Sequence, residues 1–175
     1  GGLGIVFSII IVAIVKKKVN EIDYSLNRYL LCDGVADPGN MGTIIRTALA
    51  FNVDMVILAN GSVDIYNDKV IRGSQGAILK IPVVYANMVD VVNTLKENNV
   101  DVFASTLSNR SINLKEVKSV NRFALVVGNE GSGVSQIVQD LSTYNVKIAH
   151  STSIDSLNVG VATSIMLYYF DSISE

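Results

Sequence analysis

Short, continuous apolar runs separated by helix-patterned stretches limit what this chain can fold into more than any other feature it has. The runs fall at Arg28 to Cys32, Asp54 to Ala59, Ile81 to Ala86, Asp101 to Ser105, Phe123 to Val127 and Val146 to Ala149. Continuous apolar character, without polar alternation, suits strands buried on both faces, as in parallel sheets covered by helices. Helix-like patterns fall among them, at about 40–51, 88–98, 134–142 and 156–170. The alternation predicts one α/β domain over residues 1–175, with a mostly parallel sheet and helices on both faces. With 49% hydrophobic residues, a chain of 175 can bury the core that such a domain needs.

Leu3 to Val15 is apolar apart from Ser8 and is followed by Lys16-Lys17-Lys18. Thirteen residues are fewer than the roughly 18–20 that cross a bilayer, and the charges lie on the wrong side for a signal peptide. The Ile and Val content predicts a buried strand, or two joined around Phe7-Ser8, in a cytoplasmic protein with no membrane partner. With 14 Lys and Arg against 16 Asp and Glu, the net charge of −2 argues against a surface coated for nucleic acid. A polyanion would have to meet a local patch, for which Arg72, Lys80, Arg110 and Lys147 are candidates along with Lys16 to Lys18. One Cys and one His exclude a disulfide framework and predict no metal site. Cys32 reads as a small buried hydrophobe on a strand.

Three segments carry chemistry. Gly-Asn-Glu-Gly-Ser-Gly at 128–133 joins an apolar run to a helix-like stretch from Val134, a turn that either brings a ligand against bare backbone or merely connects two elements. Its glycines do not follow the dinucleotide pattern, and position 148, where such folds need an acidic residue, is Ile. A nucleotide-dependent oxidoreductase is therefore a poor alternative. In the second segment, Asp33 to Ala48, a strand end, an Asp-Pro-Gly-Asn turn and a helix beginning near Asn40 follow one another. Ile44, Ala48 and Phe51 form its core stripe, while Arg46 sits off the stripe among Gly39, Gly42 and Ala50. Arg46 suits either a phosphate contact or a solvated helix surface. The third segment, Ile148 to Val159, leads into a helix with Leu157, Val161, Ile165 and Tyr168 on one face and Ala162, Met166 and Tyr169 on another. A helix apolar all round needs cover on all sides, from the domain or from a second subunit. Asn158 is either a helix-start hydrogen-bonding group or a group aimed at a ligand.

Together these segments resemble the SpoU (TrmH) family of RNA ribose 2′-O-methyltransferases, within the SPOUT superfamily. They are similar to its D-P-x-N-x-G-x-I-x-R-T-A, G-N-E-G-x-G and I-P-M-x-G-x-x-x-S-L-N-V motifs, in order, across about residues 30–170. Residues 63–72 resemble the family's linking region, and two-domain members carry an RNA-binding domain upstream of where this chain begins. The resemblance implies a sheet with a deep C-terminal trefoil knot, S-adenosyl-L-methionine as cofactor, and a homodimer with each site near the subunit interface. It implies cofactor-binding positions at Thr106, Leu107, Gly128, Ile148 and Leu157, and catalytic or substrate positions at Asn40, Arg46, Glu130, Ser156 and Asn158. The implied substrate is RNA: ribosomal RNA first, transfer RNA as the rival, with a catalytically weak RNA-binding relative as the other alternative.

Methyl transfer to a sugar hydroxyl must align oxygen, carbon and sulfur and stabilise charge growing on the oxygen. Arg46, always protonated, suits an electrostatic stabiliser and phosphate clamp better than a base; Glu130 or a substrate phosphate oxygen would take the proton. The third motif departs from the family pattern, with Ala149 for Pro, His150 for Met, Thr152 for Gly and Gly160 for Ser. Loss of Pro loosens the loop, and Thr152 is costly if its position requires φ > 0. His150 is either a structural substitution or a new acid/base group.

Overall fold

The computed structural model describes residues 2–7, 9–10 and 21–175. Its sheet has seven strands, β1 (Arg28–Asp33), β2 (Met55–Ala59), β3 (Val83–Ala86), β4 (Asp101–Ser105), β5 (Ile112–Asn113), β6 (Phe123–Gly128) and β7 (Tyr144–Lys147). The spatial order is β3-β2-β1-β6-β4-β7-β5, and every adjacent pair is parallel. Residues 2–7 and 9–10 are helical (α1); the later helices are α2 (Pro38–Ala50), α3 (Asp68–Gly73), α4 (Met88–Glu97), α5 (Gln136–Leu141) and α6 (Val159–Ser172).

Alternation along each strand divides the core. Leu30 and Cys32 of β1 join Ile44 and Ile45 of α2 and Met166, Leu167 and Phe170 of α6 on one face of the sheet. Tyr29 and Leu31 join Val91, Val92 and Leu95 of α4 and Val138 of α5 on the other. Strands covered on both faces need no polar side, which is why they read as uninterrupted apolar runs. Burial pushes the Cys32 thiol above its ordinary range, with the charges of Asp33 and Glu130 adding to the effect, so it stays a protonated core group.

The expected strand at Leu3 to Val15 is not what the described residues form. Residues 2–7 and 9–10 are helical, with Leu3, Ile5, Val6, Phe7, Ile9 and Ile10 exposed; residues 11–15 lie outside the described residues. β propensity needs a neighbouring strand to act on, and residues 2–7 and 9–10 pair with neither sheet edge; a helix satisfies its own backbone. Among the described residues, no helix is long and apolar enough to cross a membrane.

Helix α2 begins earlier than expected. Asp37 is its N-cap, its Oδ2 accepting from Asn40 N at 2.8 Å, and Pro38 takes a first-turn position where a missing N–H costs nothing. Gly42 does not leave open space beside Arg46. It is buried against α3, where a Cβ on Gly42 would lie 2.9 Å from Gly73 Cα and C. Gly42→Ala is therefore expected to cost about 1–3 kcal/mol, as α3 is forced outward, and urea unfolding would read the loss.

Candidate active site

The sheet order reverses between β1 and β6, which carry the chain in opposite directions from that point, so a crevice opens beyond their carboxyl ends. Asp33 and Gly128 are register partners there, and the two loops that follow them meet. The glycine loop is closed on itself: Asn129 N donates to Gly133 O at 3.1 Å, and Gly133 N donates to Asn129 O at 2.9 Å. Asn129 Oδ1 accepts from Gly131 N and Ser132 N, and its Nδ2 donates to Gly34 O at 3.0 Å. The loop's N–H groups are therefore used internally and do not form a cradle for phosphate. Gly133 adopts φ +72, which its lack of a Cβ permits.

Glu130 crosses to the β1–α2 turn. Its carboxylate accepts from Ala36 N at 3.1 Å, from Asp37 N at 2.9 Å and, at 3.5 Å, from Asn40 Nδ2. Asn40 Oδ1 in turn accepts from Asn158 Nδ2 at 3.1 Å, and Asn158 Oδ1 caps α6 by accepting from Gly160 N and Val161 N. These bonds fix both amide orientations. The cap requires Asn158 to turn its NH2 to Asn40, which leaves the Asn40 NH2 for Glu130. Asn158 thus caps α6 while its NH2 reaches Asn40, and α6 starts at Val159, not at 156. Gly160 leaves room for this relay, since a Cβ there would lie 3.1 Å from Asn158 Oδ1 and 3.4 Å from Thr43 Cγ2.

Burial raises the Glu130 pKa, but the hydrogen bonds from Asp37, its own loop, Ala36 and Asn40 outweigh it and hold the carboxyl below its ordinary range. A carboxyl depressed in the folded state adds stability above its unfolded pKa, and this is lost as pH falls through the folded value. The stability gap between the wild type and Glu130→Gln should therefore be full at neutral pH and shrink once pH falls below the ordinary glutamate pKa of about 4.3. Urea unfolding at pH 7 and at pH 3.5 checks it; an equal gap at both would refute the carboxylate's contribution. The gap will be modest, because Glu130 is exposed.

Beside this relay lies a cavity of about 270 Å3. Thr106, Leu107, Gly128, Ile148 and Leu157 all line it, as do Glu130 and Ser156. Asn40 and Asn158 do not line it but reach it through Glu130. Arg46 is not brought to it: the side chain is exposed on α2, beyond the cavity's lining. Sequence reasoning missed Gln139 and Met166 in the wall, and it had placed Lys147 only on a surface. The Asx turn at Asn129 had a legible signal, an Asn leading into a glycine-rich turn. Thr152 is not strained, since among the described residues the non-glycine positions with positive φ are Asn52, Gln75 and Asn99. The four basic candidates do not form one face. Arg72 and Lys80 flank α3 and β3 at one end of the sheet, with Arg72 paired to Asp68 at 2.6 Å, whereas Arg110 and Lys147 lie by β5 and β7 at the other.

Comparison with known proteins places this geometry in a family. The model of the SpoU rRNA methylase family matches residues 27–168. The chain is 40% identical over 142 residues to the 23S rRNA (guanosine(2553)-2′-O)-methyltransferase RlmP of Bacillus subtilis, covering 81% of this chain and 57% of that protein. Among solved structures, the AdoMet-bound rRNA methyltransferase of Sinorhizobium meliloti superposes with a TM-score of 0.77 at 31% identity, over 82% of this chain and 55% of its own. The SpoU methyltransferase AviRb of Streptomyces viridochromogenes gives 0.78 at 26% identity, over 83% and 59%. The chain thus spans little more than half the length of these relatives. With three motifs joined in one site and the family model matched across most of the chain, this protein belongs to the SpoU rRNA methylase family.

Proposed function

We propose that this chain methylates a ribose 2′-hydroxyl in RNA, with S-adenosylmethionine as methyl donor and ribosomal RNA as the target class. One observation carries the reading: residues of the second and third motifs wall one cavity, and a hydrogen-bond relay through Glu130 and Asn158 ties the first motif's Asn40 to them. The wall suits the cofactor. Leu107, Ile148 and Leu157 offer apolar surface for an adenine ring, and a loop whose N–H groups are internally bonded suits a ligand without phosphate. When bound, S-adenosylmethionine supplies an electrophilic methyl group on a sulfonium.

The chain's own residues position and stabilise. Glu130 holds the β1–α2 turn against the glycine loop, and Asn40 and Asn158 hold the starts of α2 and α6 together. Glu130 is a positioning residue in this reading, because its oxygens already accept the backbone N–H groups of Ala36 and Asp37 and so are committed to the β1–α2 turn. A phosphate oxygen of the RNA takes the hydroxyl proton, Arg46 clamps phosphate and stabilises the developing oxyanion, and Ser156 contacts the reacting groups from the cavity wall.

The same reading includes the C-terminal knot, the cytoplasm as the place of action, and a homodimer. Val161, Ile165 and Tyr168 lie at i, i+4 and i+7 on α6 and are 49%, 41% and 64% exposed, an apolar stripe that a second copy would cover. The test is transfer of tritiated methyl groups to purified RNAs, followed by mapping of ribose methylation. Label on ribosomal RNA is expected. Label on transfer RNA alone would move the target, and RNA binding without label on any RNA would overturn the enzymatic reading.

A further inference from the structure

His150 is the chain's only histidine, and it stands in the cavity wall on the loop between β7 and α6. Its Nδ1 lies 3.0 Å from Ser151 O. A backbone carbonyl can only accept, so the proton of the neutral ring is on Nδ1. The other nitrogen, Nε2, is left as a lone-pair acceptor with no partner among the described residues. A half-buried ring anchored at one nitrogen and open at the other is a fixed acceptor, not a passive replacement for an apolar side chain.

We propose that His150 is a specificity-determining residue of this cavity, its neutral Nε2 accepting a hydrogen bond from an N–H donor of the bound adenosyl group. The inference rests on the cofactor reading above. An adenine ring carries an exocyclic amine that can donate such a bond, and protonation of the imidazole turns Nε2 into a donor that cannot accept it. Ligand affinity therefore falls when the ring is protonated. The other titratable groups lining the cavity are Lys147, on β7, and Glu130, on the glycine loop; Asp155 lies further along the loop that carries His150. A variant at position 150 keeps all three, so their contributions cancel in a comparison with the wild type.

The experiment is calorimetric titration of the full chain with S-adenosylmethionine, and with its thioether product S-adenosylhomocysteine, between pH 8 and pH 5.5. Wild-type affinity for both ligands is expected to be lower at the acidic end of that interval than at the basic end. His150→Gln, which keeps an acceptor that does not titrate, should bind near the wild-type high-pH affinity and lose this dependence. His150→Met, with no comparable acceptor, should bind more weakly at pH 8 and show the same flat profile. The same pH dependence in the wild type and in His150→Gln overturns the inference while leaving the cofactor reading standing. So does wild-type affinity in His150→Met at pH 8. A dependence seen with S-adenosylmethionine but not with the thioether overturns the hydrogen bond in favour of charge repulsion at the sulfonium. Absence of binding of either ligand at every pH, in folded protein, overturns the cofactor reading and this inference with it.

Discussion

Gly128→Ala is expected to destabilise the protein by about 3 kcal/mol or more and to close the cavity beside it. Gly128 ends β6, in register with Asp33 of β1, and the glycine loop folds back directly over it. A Cβ built there falls within the contact radii of Gly133 C and O and of Val134 N. All three obstacles are backbone, so no rotamer change relieves the clash. Neither side can retreat cheaply. The strand is held by its pairing with β1, and the loop by the paired Asn129 and Gly133 bonds and by Asn129 Nδ2 on Gly34 O. Any adjustment either breaks the loop's closure or shifts Glu130 off the Ala36 and Asp37 N–H groups. Urea unfolding with S-adenosylmethionine titration reads both effects. A loss below about 1 kcal/mol with normal binding would mean that the crossing is less rigid than its hydrogen bonds imply.

Arg46→Ala is expected to lower kcat by about 10²–10³-fold while leaving cofactor affinity unchanged. Arg46 is exposed on α2 and outside the cavity wall, so its loss should not disturb a ligand bound there. The proposed role lies with the RNA, where a guanidinium meets phosphate and developing negative charge. Arg46→Lys keeps the charge but not the two-pronged geometry and should recover only part of the rate. Single-turnover methyl transfer with saturating RNA, alongside cofactor calorimetry, separates the two quantities. If Arg46→Ala keeps the wild-type rate, Arg46 is a solvated helix residue. If it weakens cofactor binding as much as it lowers the rate, its effect is on the pocket and not on the transferred charge.

Reading the strands from sequence succeeded where burial on both faces left an uninterrupted apolar run: β1, β2, β4 and β6 start and end within a residue of expectation. It slipped by two residues at β7, which begins at Tyr144 because that ring stacks on Phe103, a partner 41 positions away. It missed β5 and α3 altogether. Two residues of strand carry no period, and a six-residue helix is too short for one; β5 exists through its pairing with β7, and α3 through the contact of Gly73 with Gly42. The N-terminal run was misread because Ile and Val were scored as strand formers where no strand pairs with them.

Sequence patterning alone determined the α/β class, whereas Thr106, Leu107, Gly128, Ile148 and Leu157, which all line one cavity, were indicated by the resemblance of the motifs to the family. The α/β class is legible because strands buried on both faces are apolar throughout, which is a local property of the chain. Which groups Glu130, Asn40, Asn158 and His150 meet was decided only by the tertiary structure. Glu130 meets Asp37 across 93 positions, Asn158 meets Asn40 across 118, and His150 enters the wall only where its loop packs beside β4 and β6. Hydrogen bonds between such distant groups depend on angstrom-scale placement by the whole sheet, and no local pattern encodes that. The same placement supplies the Asp37, Ala36 and Asn40 donors that, with Glu130's own N–H, hold its carboxyl below the ordinary range.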